Sequence, residues 1–152
     1  GHGIQPSTLL EATRQVYAEE GINVTIKDNA TWQDIFKNLL LGNQVIVDLL
    51  ATESYEKSKK DGQMYLTGGL ATSSDEGYTF AHFAQVVGIN AISERIYLAD
   101  SISESLVRTG WSVSFNDFAN LVDEPEIRAQ AGPEMNTRES THYWLLIIGN
   151  SQ

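Results

Sequence analysis

A histidine at position 82 and an aspartate at position 100 are the residues of this chain best placed by type and spacing to do chemistry. The stretch Ala81-His82-Phe83-Ala84-Gln85-Val86-Val87-Gly88-Ile89-Asn90 predicts a strand with a histidine near its start. A short polar turn follows, and Arg95-Ile96-Tyr97-Leu98-Ala99 predicts a second strand that ends on Asp100. Two antiparallel strands joined in this way can set an imidazole beside a carboxylate. A cysteine or serine nucleophile needs that pair: a base to take its proton and a carboxylate to orient the base. The nucleophile is missing. The 152 residues include no cysteine, which rules out a thiolate, a disulfide and a thiolate metal site within them.

Other polar residues allow weaker alternatives. Asp48 interrupts the apolar run Val45-Ile46-Val47-Asp48-Leu49-Leu50. A buried carboxylate needs a partner, so Asp48 is expected at the sheet edge or against a backbone donor, the sharper alternative being a place on a cleft wall. His142, with His82 and either Asp48 or Asp100, could supply metal ligands, but no HExxH-type spacing supports such a site. Ser101, Ser140 and Thr141 lie near these residues, without the G-x-S-x-G turn that exposes a serine nucleophile. No cofactor is implied, and Lys57, Lys59 and Lys60 are expected to form a solvated face.

The elements that must position His82 and Asp100 follow from periodicity. Pro6 and Ser7 suit a helix start, Thr8 and Glu11 have capping-box spacing, and Leu9, Ala12, Val16 and Tyr17 recur at helical intervals up to Gly21. Ile22, Val24 and Ile26 alternate as a short strand. Thr31 caps a second helix, 32–41, with Ile35, Phe36, Leu39 and Leu40 on one face and Gly42 at its end. Residues 44–50 are nearly all apolar, which suits a central strand buried on both faces. Residues 51–77 are expected to be a long polar loop with a short strand at Tyr65-Leu66. Strands 80–89 and 95–99 come next, then a short strand at 111–113, a helix over 115–122 opened by Ser114, and a final strand over 141–149. Two helices with a short strand, followed by neighbouring strands, indicate one α+β domain over 1–152, with a mainly antiparallel sheet and flanking helices.

The formal charge is −10, from 20 acidic and 10 basic residues. With no basic patch to offset phosphates, nucleic acid and anionic lipid are poor partners. No apolar run reaches the ~18 residues of a membrane span, and the N-terminus lacks a basic-then-apolar signal pattern. Localisation stays open.

In order, these segments resemble the papain-like cysteine peptidases, in the branch of the bacteriocin-processing, double-glycine leader peptidases fused to export transporters. The matching residues are Gly3-Ile4-Gln5-Pro6-Ser7 into the first helix, Gly42-Asn43-Gln44-Val45-Ile46-Val47, and His82-Phe83 through Val86-Val87-Gly88. They continue with Tyr97-Leu98-Ala99-Asp100-Ser101, Val113-Ser114-Phe115-Asn116-Asp117-Phe118 and Trp144 to Gly149. The resemblance implies a fold like the C-terminal two-thirds of the papain-like domain, with His82 as general base and Asp100 as its orienting carboxylate. In that family a glutamine and the catalytic cysteine lie upstream of the first match, where this chain has only Gly1 and His2. The expectation is a peptidase-like domain without its nucleophile segment, inactive as given, whose parent is a cysteine peptidase. The alternative is a non-catalytic peptide-binding or interaction module derived from one. The implied partners are a peptide or protein segment in the cleft and, through an apolar groove left by the missing helix, a second copy of the chain.

Overall fold

Proline at the first helical position starts the first element, because its fixed φ suits a helix and its missing N–H is not needed there. In the computed structural model, helix α1 spans Pro6–Tyr17, tightens into a single 3-10 turn at Ala18–Glu20, and stops at Gly21 with φ 67°. The structure describes residues 5–54, 66–68, 76–99, 111–116, 118 and 144–152, with the backbone alone for 49–54, 66–68, 76–82 and 111. The expected Thr8–Glu11 capping box does not form. Gln5 is the N-cap, so Thr8 already lies inside α1, and Glu11 instead meets Arg14 at 3.4 Å.

Strand β1 (Val24–Lys27) leads to α2 (Trp32–Leu40), where the capping box is real. The Thr31 backbone N–H donates to Asp34 Oδ2 at 2.8 Å, and the Thr31 side chain accepts from the Asp34 backbone. Strands β2 (Gln44–Ser54), β3 (Leu66–Gly68), β4 (Glu76–Asn90), β5 (Arg95–Ala99), β6 (Trp111–Ser114) and β7 (Leu145–Ile148) complete a sheet that has seven strands among the described residues. Its order is β1-β7-β2-β4-β5-β6, with β3 pairing β2 off this path, and every pairing is antiparallel.

The polar stretch expected to be a loop over 51–77 is shortened at both ends. Strand β2 runs on to Ser54 and β4 starts at Glu76, paired from Val45↔Val86 to Ser54↔Glu76 with one register shift. Ladder hydrogen bonds carry a strand through polar residues when a long partner lies alongside, and local composition does not show that. Residues 115, 116 and 118 are helical; the rest of the expected 115–122 helix lies outside the described residues.

The core lies on both faces of the sheet. On one face Ile35 of α2 packs with Val45, Val47, Ala84, Val86, Ile96, Leu98, Val113, Phe118 and Leu145. Trp32 stacks on Phe115 there, with ring centroids 4.6 Å apart. On the other face Leu9, Leu10 and Tyr17 of α1 pack against Val24, Trp144, Leu146 and Ile148, joined by Ile46 and Phe83. Successive side chains of a strand point to opposite faces. That is why the apolar runs at 45–47 and 145–148 need no polar alternation: odd and even positions each meet a helix. The fold is therefore α+β, with helices flanking an antiparallel sheet.

Candidate functional site

The β4–β5 hairpin is the element that holds His82 and leads to Asp100. Its strands are antiparallel neighbours, paired from Gln85↔Ala99 to Asn90↔Arg95 with one register shift. His82 sits in β4, opposite Leu49 of the central strand β2. Asp100 follows Ala99, the last residue of β5, and itself lies outside the described residues. The strand that holds the histidine and the strand that leads to the aspartate thus lie side by side. His142, Ser101, Ser140, Thr141 and the three lysines at 57, 59 and 60 also fall outside the described residues.

Asp48 is not at an edge. Strand β2 has β7 and β3 on one side and β4 on the other, and Asp48 is 1% exposed. It pairs with Phe83 and has the parity of Ile46, which packs on the α1 side of the sheet. Position 82 has the parity of Ala84 and Val86, whose side chains belong to the α2-side core. A one-residue step along a strand changes its face, so the ladder does not set Asp48 beside position 82. Phe83 and Trp144, with centroids 5.5 Å apart, pack on the α1 side.

Between His82 and the hairpin turn, the register shifts between Val86 and Gly88. Bulges of this kind bend a strand and re-aim its side chains, and they are frequent beside functional sites. Here the bulge leaves Val87 unpaired in the ladder and 58% exposed. The turn itself is built by Asn90, whose Oδ1 accepts from the backbone N–H groups of Ile92 and Ser93 at 2.9 and 3.0 Å. Glu94 closes it at φ 54°, a left-handed conformation that a non-glycine residue adopts at some cost.

The α1-side face of β4 and β5 beyond Phe83 is the part that the sequence reading missed. Gln85 and Tyr97 are exposed there, because the α1 packing ends at Phe83. The Tyr97 side chain lies over Gly88, with Cδ2 within 3.8 Å of where a Cβ would be. Arg95, on the same face, donates from Nη2 to the Ser112 carbonyl and hydroxyl oxygens at 3.0 and 2.7 Å. The signal was present in the alternation of Arg95-Ile96-Tyr97-Leu98, whose apolar members are buried and whose polar members are not. Among the described residues, the exposed large apolar side chains are Val16, Leu40, Val87, Ile92 and Tyr97, spread over α1, α2, β4, the β4–β5 turn and β5.

Among the described residues, no three His, Asp or Glu side chains gather as a metal set, and no helix is long and apolar enough to cross a membrane. Comparison with protein-family models, with curated proteins and with solved structures finds no match to this chain.

Proposed function

We propose that this chain is a papain-like, double-glycine-peptidase-type domain that holds a peptide at the β4–β5 hairpin, with His82 in the position of the general base and Asp100 in that of its orienting carboxylate. The observation that carries the reading is the antiparallel pairing of β4 and β5. The residue before Asp100, Ala99, pairs with Gln85, three residues along β4 from His82. That register brings the end of β5 to within three residues of His82 along β4, and an imidazole–carboxylate pair needs its two strands that close.

In a cysteine peptidase the thiolate attacks the scissile carbonyl, and the imidazolium then returns a proton to the leaving amine. These 152 residues encode no cysteine, so they cannot form the acyl-enzyme themselves. Without the covalent route, the hairpin would bind a peptide and leave it intact.

The test has two arms. In ¹⁵N NMR of the His82 ring, a carboxylate partner fixes one tautomer, and Asp100→Asn should release it to the mixture of a free imidazole. Titration with a synthetic peptide carrying a Gly-Gly pair should shift resonances of the β4–β5 hairpin, and the same peptide with Ala-Ala should not. An unchanged ring spectrum in Asp100→Asn removes the pairing. Equal responses to both peptides, or none to either, remove the double-glycine reading.

A further inference from the structure

Among the described residues, the two end strands of the sheet each have a carbonyl that points away from the neighbouring strand and is covered by an arginine of the same chain. In an antiparallel ladder, a residue turns both its N–H and its C=O toward the partner strand or both away, in alternation. Gly149 N–H donates to Asn23 O at 2.9 Å, so Asn23 faces β7, as does Thr25. Val24 and Ile26 therefore turn their N–H and C=O away from β7, and Arg14 Nε donates to Val24 O at 3.0 Å. At the opposite end, Phe115 N–H donates to Glu94 O at 3.0 Å, so Glu94 faces β6. Ile96, paired with Val113, does the same. The C=O of Ser112 then points away from β5, and Arg95 takes it together with the Ser112 hydroxyl.

We infer that Arg14 and Arg95 are edge guards that keep a second copy of this chain from adding a strand to β1 or β6. An open strand edge is a template for pairing with another chain. Both end strands have only four residues, and in each the guanidinium takes an acceptor that an incoming strand would need. Strand addition has to break a charge-assisted bond and strip water from an arginine. Two-fold pairing of β1 would also bring two Arg14 side chains toward one another. A second copy is the occupant that fits once the guard is gone. Antiparallel pairing centred on Thr25 sets Val24 opposite Ile26 of the copy, β-branched residues on both sides.

The experiment is sedimentation equilibrium over a concentration series, with circular dichroism to verify the fold, on the chain and on R14A, R95A and R14A/R95A. The double variant should self-associate at least about tenfold more tightly than the unsubstituted chain, with each single variant between them. Adding I26P to R14A should reverse the gain from R14A, because proline there removes only an outward N–H, as edge strands tolerate. A folded double variant with unchanged mass overturns the inference. Hydrogen exchange on the unsubstituted chain tests the geometry even if a variant does not fold. The Val24 and Ile26 amides should exchange at least about tenfold faster than the ladder-bonded Thr25 amide, and equal protection at the three overturns the inference.

Discussion

The Asn43 side chain fills the space that a Cβ on Gly149 would need. Asn43 is buried between α2 and β2, where its Nδ2 donates to Asn38 Oδ1 at 3.0 Å and to Ser151 O at 2.9 Å. One residue along, Asn150 accepts from Asn23 N–H at 2.7 Å and donates to Gly21 O at 3.0 Å. The segment after β7 is therefore tied both to the α2–β2 turn and to the entry of β1. Strand β7 is the link between β1 and β2, so this latch fixes the half of the sheet on which α1 packs.

Gly149 has φ 151°, where a side chain is disfavoured, and its surroundings leave no room for one. Gly149→Ala combines backbone strain with overpacking, and the expected loss is about 3 kcal/mol of unfolding free energy. Urea denaturation followed by Trp fluorescence measures it. A loss under about 1 kcal/mol would mean that the tail shifts freely and that the latch is not tight.

Asn43→Ala removes both donated bonds and leaves the Ser151 carbonyl without that donor, for an expected cost of about 2 kcal/mol. Asn43→Asp should cost more at neutral pH, because the introduced carboxylate faces two acceptor oxygens in a buried site. Burial and those oxygens favour its protonated form in the folded state, which raises its folded pKa above the unfolded value of about 3.9. Stability then falls as pH rises from the unfolded value through the folded one, and it recovers on acidification. Denaturation midpoints of both variants at pH 4 and pH 7, each set against the parent chain, give the comparison. A larger relative loss at pH 4 than at pH 7 for Asn43→Asp would contradict the assigned amide orientation.

Ile35 and Ile92 allow one substitution to be read in two settings. Ile35 is 0% exposed on α2 and Ile92 is 97% exposed at the β4–β5 turn. Ile35→Ala should cost about 3 kcal/mol, through lost transfer energy and a residual cavity. Ile92→Ala should change stability by less than about 0.5 kcal/mol. Comparable effects at the two sites would place the core elsewhere.

Elements driven by periodicity were legible in the sequence. The start of α1 at Pro6, the α2 face of Ile35 and Leu39, the 44–50 run as a central strand, and the 95–99 strand follow from local pattern. What depends on a distant partner was not legible. The extension of β2 to Ser54 needs β4 beside it, and the buried place of Asp48 needs the sheet order. The bulge at Val86–Gly88 is a mismatch between two strands and belongs to neither alone. For the candidate site, the hairpin could be read from alternation and a polar turn. The face carrying Gln85 and Tyr97 shows in the sequence only as alternation, and that it is left uncovered depends on where α1 stops packing.

Two threonines with the same sequence signature separate spacing from position. Thr8 and Glu11, like Thr31 and Asp34, stand three apart with a hydroxyl first and a carboxylate second. Only Thr31 sits at an N-cap, in extended conformation at φ −116° and ψ 172°, where Asp34 can reach back to its N–H. Thr8 lies in the first turn of a helix already started by Pro6. Asp34→Ala should therefore cost about 1 kcal/mol, the usual worth of such a cap. Thr8→Ala should be neutral or stabilising by a few tenths, roughly the difference in helix propensity. Denaturation curves of the two variants test the pair, and a larger loss for Thr8→Ala would move the start of α1 past Thr8.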